Sequence, residues 1–102
     1  MGSKIDIEKI AEIHRQIDLM LLEDWDPIGI KNEPGAQDEY RDYVREVFDV
    51  AVKTRSERAV AEHLLTIERK RMGLWDFPWR WRRRVPAAQK ILSLVSDVEL
   101  LP

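Results

Sequence analysis

Three features of the sequence predict an all-α fold, a small bundle of three to four helices with an irregular Arg/Trp-rich connector before the last one. Apolar residues recur at threes and fours in four separate stretches, the spacing that places them on one helix face. Turn-forming residues, among them Pro27, Gly29, Pro34, Gly35, Gly73 and Pro78, fall between the stretches. The chain has 102 residues, 44% of them apolar, and no cysteine, so it folds on a hydrophobic core without disulfides or thiolate-held metal. One helical domain over residues 1–102 is expected.

The first helix is predicted from Ile5 to Glu23, with Ile7, Ile10, Ile13, Ile17, Met20 and Leu21 inward and Glu12, Arg15, Gln16 and Asp18 outward. Asp26-Pro27 and Gly29 stop it, because proline disfavours helical geometry in the residue before it. A loop of about nine residues follows, from Ile28 to Ala36. The second helix is expected from about Gln37 to Lys53, with Tyr40, Tyr43, Val44, Val47, Phe48 and Ala51 on one side. Thr54 or Ser56 can cap the third, which runs to Met72 with Ala59, Val60, Leu64, Ile67 and Met72 inward. Its end carries Arg69-Lys70-Arg71 at the negative pole of the helix, then Gly73 for a left-handed turn and Leu74 as the closing apolar contact. Residues 74–84 read as neither helix nor clean strand. Trp79 and Trp81 alternate with Arg80 and Arg82, but Pro78 argues against a central strand. Pro86 suits a first helical position, so the fourth helix is expected from there to about Leu100, burying Ala87, Ala88, Ile91, Leu92, Leu94, Val95 and Val98.

The net charge of −2 hides an uneven distribution. Residues 1–68 hold 9 basic and 16 acidic side chains, residues 69–90 hold 8 basic and one acidic, and residues 91–102 hold two acidic. An acidic helical unit is thus followed by a basic, aromatic segment. No apolar run approaches the roughly 20 residues of a membrane span, and no signal-peptide pattern opens the chain, so a cytoplasmic location is expected.

Leu22-Glu23-Asp24-Trp25-Asp26-Pro27-Ile28-Gly29, then Pro34, Ala36, Asp38-Glu39-Tyr40 and Tyr43, then Leu64, Ile67-Glu68 and Met72-Gly73-Leu74 form a recognisable pattern. Over residues 5–74 it resembles a family of small bacterial helical proteins of the DUF1871 type, whose function is unknown. The resemblance implies a short helical bundle without established catalytic residues, and some look-alikes are taken for immunity or antitoxin-type proteins. Residues 75–102, the Arg/Trp connector and last helix, fall outside it.

The residues themselves offer little chemistry. Asp24, Asp26 and Gly29 imitate the start of a calcium loop, but its fifth and twelfth positions hold Ile28 and Gly35, which supply no carboxylate. His14 and His63 stand on different helices without a second histidine at metal-ligand spacing. No nucleophile elbow or phosphate-cradling glycine loop is present. The expectation is a non-enzymatic chain without metal or cofactor.

Trp25 and Asp26 have two open roles, a packed clasp closing the bundle or a recognition surface on a loop. The basic segment offers Trp75, Trp79, Arg80, Trp81, Arg82, Arg83 and Arg84 as partner-binding residues. Trp and Arg are enriched in interface hot spots, which favours a protein partner or self-association as a homodimer. Stacking indoles and phosphate-pairing guanidinium groups also suit single-stranded nucleic acid through residues 69–84, although the acidic remainder weighs against it. Packing of the segment on its own bundle and contact with a membrane surface use the same residues.

Overall fold

A computed structural model describes residues 7–74 and 81–98, and for Trp81 its backbone alone. The architecture is all-α, with no strand among the described residues. α1 spans Ile7–Met20 and continues through a π-helical turn, Leu21–Trp25; α2 spans Val44–Thr54 after a short 3₁₀ turn, Arg41–Tyr43. α3 spans Glu57–Thr66 and ends in a second π-helical turn, Ile67–Arg71; α4 spans Trp81–Leu94.

The apolar stripes meet in one core. Ile17 and Leu21, Val47 and Ala51, Val60 and Leu64, and Ala87, Ala88, Ile91 and Val95 are all inaccessible to solvent. Each larger aliphatic side chain so buried stabilises the fold by about 1.5–3 kcal/mol. Two consecutive alanines on α4 keep its side chains short where it meets the bundle. α4 packs against α3, α1, α2 and the first π turn, so it is part of the same core as the three preceding helices. It runs antiparallel to α3, with Arg84 beside Glu68 at one end and Gln89 beside Glu57 at the other.

Several boundaries differ from expectation for identifiable reasons. The inward row of α1 begins at Ile10, because Ile7 is 81% exposed at the helix start. Between Ile30 and Tyr43 the chain advances by successive i→i−3 bonds, Glu33 to Ile30, Ala36 to Glu33, Glu39 to Ala36 and Arg41 to Asp38, instead of entering α2 at Gln37. Tyr40 is drawn into the core there, and regular helix starts only at Val44. Ser56, not Thr54, caps α3, accepting a hydrogen bond from the Ala59 amide at 3.1 Å. α4 begins five residues before Pro86, which therefore sits inside the helix and leaves the Arg82 carbonyl without the usual amide donor. Trp81 and Arg82–Arg84 thus belong to α4 and not to an irregular connector. The rest of the expected connector, residues 75–80, lies outside the described residues.

Arg55 closes the corner between α2 and α3 in a left-handed conformation, φ 51°. Its guanidinium donates to the carbonyls of Val95 and Val98, tying this corner to the end of α4.

Candidate functional site

Both π-helical turns deliver a side chain to one place. A π turn holds one residue more than an α turn, so it shifts the facing of everything after it. In the first, the Asp26 amide donates to Leu21 five residues back at 2.8 Å, and Leu21, Leu22 and Trp25 all turn inward. In the second, Met72 donates to Ile67 at 3.0 Å and Leu74 reaches Glu68 at 2.8 Å around Gly73, whose φ of 66° permits the reversal. Ile67 and Glu68 are buried as a result.

Glu68 is a carboxylate 1% exposed in the middle of the bundle. The indole N–H of Trp25 donates to its Oε2 at 2.7 Å, and Nη1 of Arg84 donates to its Oε1 at 2.9 Å. Arg84 is itself buried, so the charge pair is sealed from water, and its hydrogen bonds offset the desolvation of both groups. Trp25 also packs its ring against Tyr40, centroids 5.4 Å apart, and edge-on against Tyr43 at 6.4 Å.

Asp26 forms a second, adjoining network. Its backbone is left-handed at φ 33°, a conformation Asp tolerates better than most residues. Its carboxylate accepts from the Ile30 amide at 2.8 Å, the Lys31 amide at 3.2 Å and the Tyr40 hydroxyl at 2.8 Å. Tyr40 in turn accepts from the Ile28 amide at 3.3 Å. Burial, reinforced by the bond to Asp26, holds the Tyr40 phenol well above its ordinary pKa. Arg83 reaches the Asp26 carbonyl at 3.2 Å, so two successive arginines of α4 engage this block, Arg84 through Glu68 and Arg83 through the backbone. A cavity of about 470 Å³ opens beside it, bordered by Trp25, Asp26, Ile28, Glu68, Leu74 and Arg83.

The partner-binding candidates therefore separate. Trp25, Asp26 and Arg84 are 1%, 3% and 6% exposed and are committed to internal bonds, which takes their side chains off the surface. The clasp reading of Trp25 and Asp26 accounts for their geometry. Arg82 and Arg83 are exposed on the first turn of α4. Trp75, Trp79 and Arg80, and the side chain of Trp81, lie outside what is described. Arg69 and Lys70 at the end of α3 are exposed and make no hydrogen bond or ion pair among the described residues, and neither does Arg82. Arg71 is engaged, donating twice to Glu46 and lying over the Tyr43 ring at 5.8 Å.

No family model, curated protein or solved structure matches this chain.

The histidines do not converge. His63 pairs with Glu46 at 2.9 Å, whereas His14 stands edge-on to Phe48 at 4.6 Å. No three metal-ligating side chains gather among the described residues, and none of their helices is long and apolar enough to cross a membrane. Glu68, Tyr40 and Arg84 were not singled out by sequence as a buried network, although a signal was present. Glu68 lies four residues after Leu64 and Arg84 four before Ala88, so both occupy the inward row of their helices, where a charge needs a partner.

Proposed function

We propose that this chain is a small helical protein–protein interaction module without catalytic chemistry, of the immunity or antitoxin type to which its sequence pattern points. One observation carries the reading. The polar side chains of the Trp25–Asp26 block are consumed in holding the bundle together, while Arg69, Lys70 and Arg82 stand exposed on the adjoining ends of α3 and α4. Arg82 and Arg83 occupy the first turn of α4, where positive charge opposes the helix dipole. Unfavourable local electrostatics kept on an exposed surface is the kind of local conflict that functional surfaces display. Such a cluster suits an acidic protein surface, since opposite charge speeds encounter and fixes register.

Affinity capture from native lysate tests this, comparing the wild-type chain with a triple variant, Arg69→Glu, Lys70→Glu and Arg82→Glu. A protein retained by the wild type and lost by the triple variant is expected. Capture of no specific protein, or equal capture by both, overturns the reading. The same three exposed cations favour one second reading, binding of single-stranded nucleic acid. That alternative requires a mobility shift at low salt that weakens steeply as salt rises; no shift with single-stranded DNA or RNA removes it.

A further inference from the structure

The flank of α3 that borders α4 carries a row of residues four apart, Glu57, Ala61 and Leu65, which Arg69 continues in the π-helical turn. Val60, Leu64, Ile67 and Glu68 fill the inner face and Arg58, Glu62 and Thr66 face solvent, so this row runs along the margin between them, with Glu57, Ala61 and Leu65 partly buried. Leu65 stands between two surface hollows. One, of about 430 Å³, runs between α3 and α4 over Ala61, Leu65 and Val85; the other, of about 410 Å³, is bordered by Leu65, Arg69 and Lys70.

We infer that this face docks a second copy of the chain, through a two-fold axis crossing α3 near His63. The order of residues selects that occupant. A symmetric dimer brings the same patch against itself, so the patch must complement its own reversed image. Reversed about position 63, Glu57 meets Arg69 of the second copy, Ala61 meets Leu65, and each pairing recurs on the other side of the axis. Small faces large, and acid faces base, at every position of the row. Rows spaced by four are also the ridges that interlock when helices cross. Among the described residues Glu57 is otherwise held only by Gln89, at 3.3 Å, and Arg69 has no bond, so both charges are available for pairing. With three apolar side chains from each copy at its centre, the interface belongs to the small, transient class.

This inference deepens the interaction-module reading and rests on it, but its test uses the purified chain alone. Sedimentation of the full chain from micromolar to millimolar concentration should show the mass rising from 12.1 kDa toward twice that value. Leu65→Glu should hold the chain at the monomer mass with its melting temperature unchanged. Glu57→Arg or Arg69→Glu alone should weaken association roughly tenfold, since each sets like charges together at both symmetric ends. The two reversals combined should restore it. Persistently monomeric wild type, or a double variant as weak as the singles, overturns the proposal. A large fall in melting temperature for Leu65→Glu also overturns it, because the chain's own residues would then fill the hollow. Any of these results leaves capture of a foreign protein by Lys70 and Arg82 to be judged separately.

Discussion

Replacing Glu68 by Gln keeps the shape of the side chain and removes the charge on which Trp25 and Arg84 converge. Arg84, 6% exposed, then faces a neutral amide with no water to compensate. Breaking a buried pair by removing one partner costs about 3–5 kcal/mol. The amide oxygen of Gln still accepts one donor, which places this variant near 3 kcal/mol. A domain of this size has about 5–15 kcal/mol of stability in all. At about 4–8 °C per kcal/mol, the melting temperature should fall by roughly 12–24 °C. Urea unfolding followed by far-UV circular dichroism measures the free-energy loss, and thermal unfolding the shift in melting temperature. Glu68→Met combined with Arg84→Met supplies the control: replacing both charges with apolar groups of similar volume is neutral or stabilising by about 1–4 kcal/mol, offset by about 1–3 kcal/mol for the Trp25 N–H left without its acceptor. The double variant should therefore not fall below Glu68→Gln in stability. A loss below about 0.5 kcal/mol for Glu68→Gln, the range of ordinary surface substitutions, would refute the buried network.

Three further outcomes follow from the same geometry. Asp26→Ala removes the acceptor of two amides and the Tyr40 hydroxyl and forces alanine into a left-handed backbone, so it should cost about 3 kcal/mol in urea, more than Asp26→Asn. Tyr40→Phe should lose about 1–2 kcal/mol at neutral pH. The folded protein retains the phenol proton that the unfolded chain releases above about pH 10, so the Tyr40 contribution is full below that pH and falls as pH rises through it. The stability gap between wild type and Tyr40→Phe should accordingly narrow between about pH 10 and 12; a constant gap in pH-dependent denaturation contradicts the assignment. Arg82→Glu places an anion on the exposed first turn of α4 and should raise stability by about 0.3–1 kcal/mol while weakening capture of an acidic partner. Parallel losses of stability and capture would instead assign Arg82 a structural role.

The helical class and most of the core were legible because burial on a helix face leaves a periodic trace. Ile13 with Ile17, Val47 with Ala51, Val60 with Leu64, and Ile91 with Val95 are spaced as a buried stripe must be, and all are buried. The π turns were not legible. One added residue per turn leaves apolar spacings of threes and fours intact, so the start of the first turn, Leu21-Leu22-Glu23, and the whole of Ile67–Arg71 read as ordinary helix. Pro86 misplaced the start of α4, because proline suits the first helical position and the sequence does not reveal that packing of Ala87, Ala88 and Ile91 supports a helical turn before it. Trp25 and Asp26 stood out as residues that matter, but whether they face inward or outward depends on Tyr40 and Glu68, 14 and 43 residues away in the chain. The exposed cations of α3 and α4 were visible as a charge imbalance. Their lack of partners among the described residues, unlike the engagement of Arg71, Arg83 and Arg84, is a property of the fold.

The central claim is that the Trp25–Asp26 block is an internal keystone, leaving recognition to the outer helix faces. Hydrogen exchange at the Trp25 indole N–H tests it most directly, with the resonance assigned by its loss in Trp25→Phe. Donated to a carboxylate 1% exposed, that proton should exchange in deuterium oxide as slowly as the core amides of α3 and α4, and should speed up in Glu68→Gln. Complete exchange within the dead time of the wild-type experiment would place Trp25 at the surface and contradict the account.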